Sequence, residues 1–516
     1  MKIRTNMVHG RLWVKPETAN EHEKLQQYCL GRPIPLKQEE GFSISDTLVN
    51  RILLEMPINV ERPVYTKQMV QLPAGYTLRD YQERDLIKMG NLPYALNANI
   101  PGYGKTLEAL LWAQMAGAER ILVIALKSAK YQWQKMCGFW NTFADIEVSP
   151  TSGILTGRHS VVTNFEQLYD ARRFEQLKGV HWDALIVDEV HKIRNPNKTR
   201  KDKRGKIAGK TVTGIINELP GVLRQGLTGS PIYDRPDDLY SICNWLSPYY
   251  VGSSYWDFVN LFCEIKEDYW GRKPAGLTKD PVAVQLLKDT LDCFMVRNTE
   301  DLGIGNQEIV IPIELTSQQK KLYKQIKDLA IEELDLQGIS IANGMSQLIK
   351  LQQVTSNPGL FNLKENPKFE WIEDFLDSNP GEKILVFSTF RQTILAFNEV
   401  CAKYGVATIH GQVSAYDREQ EKQRFIKQQK VRVLSGTIGA MGESIDELQH
   451  ACRTVIFIDR EWPPEKNNQA KRRILRLGQE DFVSVYILEA MNTVDGKVGR
   501  VLIEKIEDIV EVLGSC

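Results

Sequence analysis

Residues 184–191 read Ala-Leu-Ile-Val-Asp-Glu-Val-His, and this pattern indicates the architecture of much of the chain. Its apolar start predicts a strand that is buried on both faces, as the strands of parallel sheets are. The strand ends in two carboxylates, Asp188 and Glu189. Ligands of open α/β sheets bind outside the carboxyl ends of the strands, so this acidic pair is a candidate binding site. Two solvated acids at a strand end are the alternative interpretation.

Short runs of the same kind recur along the chain and alternate with longer helical patterns. In the first half they cover residues 121–126, 160–163, 184–188 and 223–227. In the second half they cover residues 383–388, 407–410, 431–435, 454–459 and 482–488. Buried strands that alternate with helices form parallel sheets, so the two sets of runs predict an α/β fold with two lobes.

The stretch between the two sets, residues 236–368, has mainly helical spacing, which is clearest over 318–334 and 344–354. Four parts are therefore expected. They are an N-terminal accessory domain of unknown role (1–72), a first lobe (73–305), a helical linker (306–365) and a second lobe (366–516).

The composition indicates a folded protein without a membrane span. Hydrophobic residues make up 42% of the 516 residues and charged residues 25%, which excludes disordered and fibrous classes. No window approaches the length of apolar sequence that crosses a bilayer, so we expect no membrane partner. The eight cysteines form no closely spaced pair, which argues against a zinc site or a disulfide framework and favours the cytosol.

The formal net charge is zero, with 65 basic and 65 acidic side chains, which argues against a nucleic-acid partner. The charges are unevenly distributed, however. Residues 192–210, here called the basic segment, contain nine Lys or Arg against one Asp, a surplus of +8. This pattern predicts a mobile loop that contacts nucleic-acid phosphates, and a flexible solvated loop is the alternative. The candidate contacts are Lys198, Arg200, Lys201, Lys203 and Arg204.

A glycine-rich loop, Gly102-Tyr103-Gly104-Lys105-Thr106, precedes a helix predicted over 107–116. Glycines let backbone N–H groups close around phosphate oxygens, and the start of the helix favours the anion. Lys105 would reach the β- and γ-phosphates, and the Thr106 hydroxyl would ligate Mg²⁺. The full pattern has Gly where this chain has Asn99, and an unrelated turn is the alternative. With the loop upstream, Asp188 would hold Mg²⁺ through water and Glu189 would activate the attacking water.

Further motifs accompany these two, and together they resemble the Swi/Snf-like ATPases of helicase superfamily two, a DEAH-box type of DNA translocase. Residues 188–196 resemble the DEAH box and the run that follows it. The other matching stretches occur in the family's order and are residues 78–82, 121–133, 227–232, 295–300, 351–361 and 469–479. The resemblance covers residues 78–505. The sequence departs from the family's pattern at Ile100-Pro101, Asn298, Leu475 and 437–445.

The resemblance implies two tandem RecA-like lobes with ATP and Mg²⁺ in the cleft between them. Gln82 would contact the adenine. Arg473 and Arg476 are three residues apart, so on a helix they share one face, and they would stabilise the γ-phosphate from the second lobe. The structural alternative for these two residues is an exposed basic helix.

The family's remaining motifs imply contacts with nucleic acid and coupling between the DNA-facing side and the nucleotide site. Thr228, Ser230 and His191 would couple the nucleotide site to the DNA-facing side. The segments around Lys127, Trp133 and Arg391 would contact the nucleic-acid backbone. Trp133 fits core packing equally well.

The sequence therefore predicts an ATP-dependent translocase on duplex DNA that remodels forks, branched DNA or protein–DNA complexes. RNA is a less favoured partner, the expected state is a monomer, and residues 1–72 are available to bind a protein partner. The small size suggests a bacterial or phage protein in the cytoplasm, or a nuclear one if the source is eukaryotic. A strand-separating DNA or RNA helicase and a nucleic-acid-binding module with a degenerate ATPase are the alternatives.

Overall fold

The computed structural model describes residues 2–6, 11–35, 42–56, 72, 77–90, 92–127, 129–140, 146–148, 160–201, 207–233, 235–268, 271–298, 305–337, 341–441, 447–475, 479–496 and 498. They divide into two units, within Met1–Glu300 and within Asp301–Ile506. Over these ranges no helix has both the length and the apolar character that crossing a bilayer requires.

A seven-stranded parallel sheet forms the centre of the first unit. In spatial order its strands are Met295–Val296, Tyr94–Asn97, Leu223–Leu227, Ala184–Asp188, Ile121–Ala125, Ser160–Asn164 and Ile146–Val148. Its helices are Leu48–Leu53, Asp80–Met89, Lys105–Met115, Lys130–Trp140, Ala171–Lys178, Val212–Ile216, Asp238–Leu246, Pro248–Val251, Tyr255–Phe262 and Pro281–Asp292. All five residues of Ile121–Ala125 are buried, because a central parallel strand is covered by helices on both faces.

A second parallel sheet, of six strands, forms the centre of the second unit. In spatial order its strands are Asn306–Ile313, Val483–Ala490, Thr454–Phe457, Ile384–Ser388, Val433–Thr437 and Val406–Ile409. Its helices are Ser317–Gln337, Ile341–Ser356, Pro367–Ser378, Arg391–Val400, Ala415–Lys427, Ile438–Met441 and Pro464–Lys471. The predicted α/β class with two sheet-centred lobes is therefore confirmed, and every run predicted as a strand is one.

The stretch between the two sets of runs is less helical than its spacing indicates. Residues 263–268 and 271–277 form an antiparallel hairpin, and Asn306–Ile313 is an edge strand of the second sheet rather than part of a helical linker. Alternation of Ile309, Ile311 and Ile313 is the signal for this strand. Pro312 is tolerated there because, among the described residues, no strand pairs with the outer edge of this strand. The helices predicted over 318–334 and 344–354 are present, each slightly longer than predicted.

The N-terminal region forms a small antiparallel sheet, with strands in the order Lys2–Asn6, Arg11–Lys15, Phe42–Ser45 and Ile34–Pro35 and a helix at Ala19–Tyr28. Its own core contains Leu12, Val14, Leu25 and Ile44. The helix Leu48–Leu53 that follows packs against Pro281–Asp292 and joins the core of the first lobe. The described part of residues 1–72 therefore braces that lobe.

A buried polar network lies behind the glycine loop, where an α/β core is usually apolar. Asn97 and Asn99 donate from Nδ2 to Oε2 of Glu108, over 2.6 and 3.0 Å. Asn99 and Asn298 each donate from Nδ2 to Oδ2 of Asp85 over 2.6 Å. The main-chain N–H of Asn298 also donates to Oδ1 of Asn99, over 2.7 Å. The network joins two strands of the sheet to the helices Asp80–Met89 and Lys105–Met115.

Burial raises the pKa of Glu108 from 4.5 to about 7, and the charge of Asp85 adds to the effect. At a pH between these two values, Glu108 is protonated in the folded protein and ionised in the unfolded chain. The free energy of unfolding therefore decreases as pH rises from about 5 to about 7. The full shift corresponds to about 3 kcal/mol. Unfolding midpoints in urea from pH 5 to pH 8 should fall more steeply for the wild type than for Glu108→Gln, whose amide does not ionise. The exposed Glu175→Gln is the control, and parallel profiles for wild type and Glu108→Gln would contradict this account.

Candidate nucleotide-binding site

The glycine loop has the backbone conformation of an anion-binding turn. Gly102 and Gly104 have φ of 93° and 82°, a left-handed region that favours glycine. The helix Lys105–Met115 begins immediately after the loop, so its first N–H groups point out beyond the strand ends. Backbone donors and the positive end of a helix together suit a phosphate.

Lys105 reaches back over the loop, and its Nζ donates to the main-chain oxygen of Asn99 over 2.7 Å. Asn99 itself is fully buried, and its side chain points into the polar network. Its φ is not positive, so a glycine is not required at this position. This explains how the loop forms without the usual first glycine.

Gln82 contacts the loop residue Tyr103, and both side chains are buried. Oε1 of Gln82 accepts from the main-chain N–H of Arg79 over 3.1 Å, and Nε2 lies 3.5 Å from the carbonyl oxygen of Tyr103. A Cβ at Gly104 would lie 2.8 Å from Nε2 of Gln82, the end of a flexible side chain that can shift, so the positive φ is the stronger reason for glycine at this position. Contact of Gln82 with adenine stays a prediction.

The acidic pair ends the strand Ala184–Asp188, as predicted. Oδ2 of Asp188 accepts from Nε1 of Trp133 over 2.9 Å, and Oδ1 accepts from the main-chain N–H of Glu189 over 3.0 Å. Glu189 has a φ of 52°, a strained value for a residue with a side chain, of the kind that clusters at functional sites. Burial and the neighbouring charge of Glu189 raise the pKa of Asp188 to about 6. A divalent cation would relieve both effects, so the oxygen donors fit Mg²⁺.

His191 connects the acidic pair to the next strand end. Its Nδ1 lies 3.1 Å from Oγ1 of Thr228 and 3.2 Å from Oε2 of Glu189. Oγ1 of Thr228 also accepts from the main-chain N–H of Ser230 over 3.0 Å. The three residues predicted to couple the nucleotide to DNA therefore lie together beside Glu189.

Three residues around this site make contacts that the sequence-based prediction does not include. The ring of Tyr233 stacks on His191 at 4.9 Å, and the guanidinium of Arg194 lies 4.4 Å from the centre of the same ring. Nη1 of Arg297 donates to the main-chain oxygens of Ala98 and Gly229, over 3.2 and 3.3 Å. The signal in the sequence was the position of Arg194, Tyr233 and Arg297 inside or next to recognised motifs.

The basic segment is more ordered than predicted. Thr199–Lys201 pairs with Ile207–Lys210 in an antiparallel hairpin, so its described part is not a mobile loop. Thr211 anchors the base of this hairpin, because its Oγ1 donates to the carbonyl of Asn197 and its N–H to that of Lys198. Lys198 is exposed, and the backbone of Arg200 and Lys201 lies in the first strand of the hairpin. Lys203 and Arg204 lie outside the described residues.

The three candidate contacts outside the basic segment differ in exposure. Lys127 and Arg391 are exposed, as a phosphate contact requires. Trp133 is 1% exposed, which favours the core-packing alternative over the expected contact with nucleic acid.

The predicted arginine helix is shorter than expected. It covers Pro464–Lys471, and Arg473 lies in the tighter turn that follows, where its main-chain N–H bonds to the carbonyl of Ala470. The Arg473 side chain is buried within the second unit, and its Nε donates to the carbonyl of Gln469 over 3.3 Å. Arg476 lies outside the described residues, so a shared helix face is not seen for this pair.

Comparisons with known proteins identify the family of this chain. The model of the SNF2-related domain matches residues 98–360, and that of the helicase conserved C-terminal domain matches residues 367–478. Chromodomain-helicase-DNA-binding protein 6 of Mus musculus is 23% identical over 508 residues, which cover 84% of this chain and 18% of that protein. DNA repair and recombination protein RAD54B of Homo sapiens is 24% identical over 523 residues, which cover 83% of this chain and 54% of that protein.

A solved structure, the SWI2/SNF2 ATPase core of Sulfolobus solfataricus in complex with dsDNA, is 24% identical with a TM-score of 0.39. The match covers 86% of this chain and 96% of that one. The chain spans 18% and 54% of the length of the two curated relatives. Because the SNF2-related model by itself matches more than half of the sequence, the chain belongs to the SNF2-related family and carries the Swi/Snf ATPase/helicase core.

Proposed function

We propose that this chain hydrolyses ATP and uses the energy to move along duplex DNA. The observation that carries the proposal is the alignment of three strand ends. Asn97, Leu227 and Asp188 are paired in register across three adjacent parallel strands. The glycine loop, the Thr228–Ser230 turn and the acidic pair therefore begin at one level of the sheet, where an α/β fold binds its ligand.

The proposed chemistry assigns a role to each group. The backbone of Gly102–Gly104 and the start of the helix bind the phosphates. The Lys105 ammonium gives up its hydrogen bond to the Asn99 carbonyl and donates to a phosphate oxygen instead. Thr106 and Asp188 hold Mg²⁺, which neutralises phosphate charge when bound. Glu189, whose Oε2 lies beside His191, takes a proton from the attacking water.

The remaining roles come from the family pattern. Gln82 contacts the adenine, and Arg473 and Arg476 of the second unit approach the γ-phosphate. Arg473 must leave its buried position for this role, so we propose that hydrolysis requires a rearrangement of the turn after Lys471.

Duplex DNA is the proposed partner because several relatives are named for DNA binding or DNA repair and because the basic segment offers exposed charge. Lys127, Lys198, Arg200, Lys201 and Arg391 are the proposed backbone contacts. Remodelling of forks, branched DNA or protein–DNA complexes by a monomer is the favoured process. Strand separation is the second candidate, since the helicase conserved C-terminal domain is present.

Removing the proposed catalytic base tests the ATPase. Glu189→Gln should lower the rate of phosphate release by about 10²–10⁴-fold, because the amide accepts no proton, while ATP binding persists. Release of phosphate and binding of a fluorescent ATP analogue are the measurements, and Glu175→Gln is the matched control. Wild-type turnover in Glu189→Gln would contradict the assignment.

A panel of nucleic acids separates translocation from strand separation. ATP hydrolysis should rise most with duplex or forked DNA, less with single strands and least with RNA. A labelled strand should remain annealed in a forked duplex, because a duplex translocase does not separate strands. Displacement of that strand would favour the helicase alternative.

The basic segment should act by neutralising DNA phosphates. Lys198→Ala/Arg200→Ala/Lys201→Ala should weaken DNA binding and reduce the slope of log K against log salt by about 0.9 for each phosphate that the protein no longer neutralises. Lys266→Ala/Lys273→Ala/Lys279→Ala, in and next to the other hairpin, removes the same charge and is the matched control. Equal salt slopes for both triple variants would contradict this role.

A further inference from the structure

Trp133 makes a contact that core packing does not require. It lies in the helix Lys130–Trp140, which follows the strand Ile121–Ala125, and that strand pairs with Ala184–Asp188. The pairing brings the indole over the end of the acidic strand. Its Nε1 donates to Oδ2 of Asp188 over 2.9 Å, and the side chain is 1% exposed.

The hydrogen bonds of Asp188 suit a carboxylate that holds a cation. One oxygen accepts from Trp133 and the other from the main-chain N–H of Glu189. A carboxylate accepts about four hydrogen bonds, so each oxygen keeps a lone pair for a cation or its water. Two donors from different directions restrict rotation of the group.

Other buried tryptophans of the same unit use their N–H groups differently. Trp112 donates to the main-chain oxygens of Met89 and Leu92, and Trp182 donates to that of Leu177. Nε1 of Trp245 has no hydrogen-bond partner among the described residues. A buried indole in this fold therefore does not need a carboxylate partner.

We propose that Trp133 is a positioning residue for Asp188, holding the carboxylate in the orientation that binds magnesium with ATP. The inference rests on the proposed function and refines its metal site. The hydrogen bond from Trp133 also connects Asp188 directly to the helix Lys130–Trp140. That helix begins three residues after the exposed Lys127, a proposed DNA contact. Loss of a hydrogen-bond partner that orients a metal-binding side chain commonly lowers metal affinity by about 10–100-fold.

The test measures metal-dependent nucleotide binding rather than turnover. A fluorescent ATP analogue is titrated onto the full chain at increasing Mg²⁺. In Trp133→Phe the Mg²⁺ concentration for half-maximal tight binding should rise about tenfold, and binding in EDTA should stay unchanged. Replacing Trp133 by β-(3-benzothienyl)alanine, which has sulfur in place of the N–H, should give the same rise with the shape of the core retained.

Trp182→Phe is the matched control, because it removes a buried indole N–H that bonds to a main-chain oxygen, and its Mg²⁺ midpoint should equal that of the wild type. Midpoints within twofold of wild type in the benzothienyl variant overturn the inference while leaving the ATPase proposal intact. A wild type whose nucleotide binding does not depend on Mg²⁺ also overturns the inference, whereas a wild type that binds no ATP analogue at any Mg²⁺ concentration overturns both proposals. If Trp133→Phe does not fold, the benzothienyl variant decides.

Discussion

Register between parallel strands is the constraint on which the first unit depends. Because Asn97, Leu227 and Asp188 are paired across adjacent strands, three loops that are far apart in sequence begin at one edge of the sheet. A shift of one residue in any of these strands would turn its side chains to the other face. The buried apolar side chains of the strands make such a shift costly, so the hydrophobic core also determines the geometry of the site.

The polar groups behind the site follow from the same register. Strand ends that carry Asn97 and Asn99 would leave buried amides unpaired unless partners reached them from neighbouring helices. Glu108 and Asp85 supply those partners, and Asn298 completes the network from the strand at the edge of the sheet. Two of these residues, Asn99 and Asn298, stand where the family's pattern has other residues, and they bond to each other. These two departures from the family's pattern therefore belong to the same hydrogen-bond network.

Much of the fold was predictable because continuous apolar runs and helical spacing are local signals. The glycine loop and the acidic pair were predictable for the same reason, since each combines an unusual residue pattern with a strand or helix boundary. Asn306–Ile313 was missed because its first three residues are polar and exposed and because Pro312, which argues against a central strand, interrupts the apolar residues that follow. The basic segment was expected to be a loop because its hairpin depends on a backbone anchor at Thr211 rather than on apolar alternation.

The amino-acid pattern alone determined the α/β class, the two lobes, the order of the motifs and the identity of the candidate phosphate-binding and acidic residues. Only the tertiary structure decided which of those residues touch. It placed Trp133 against Asp188 and away from solvent, His191 between Glu189 and Thr228, and Arg473 in a buried turn. The reason is physical: a motif is read from neighbours along the chain, whereas a hydrogen bond between distant residues exists only after strand pairing and helix packing have brought its two atoms together.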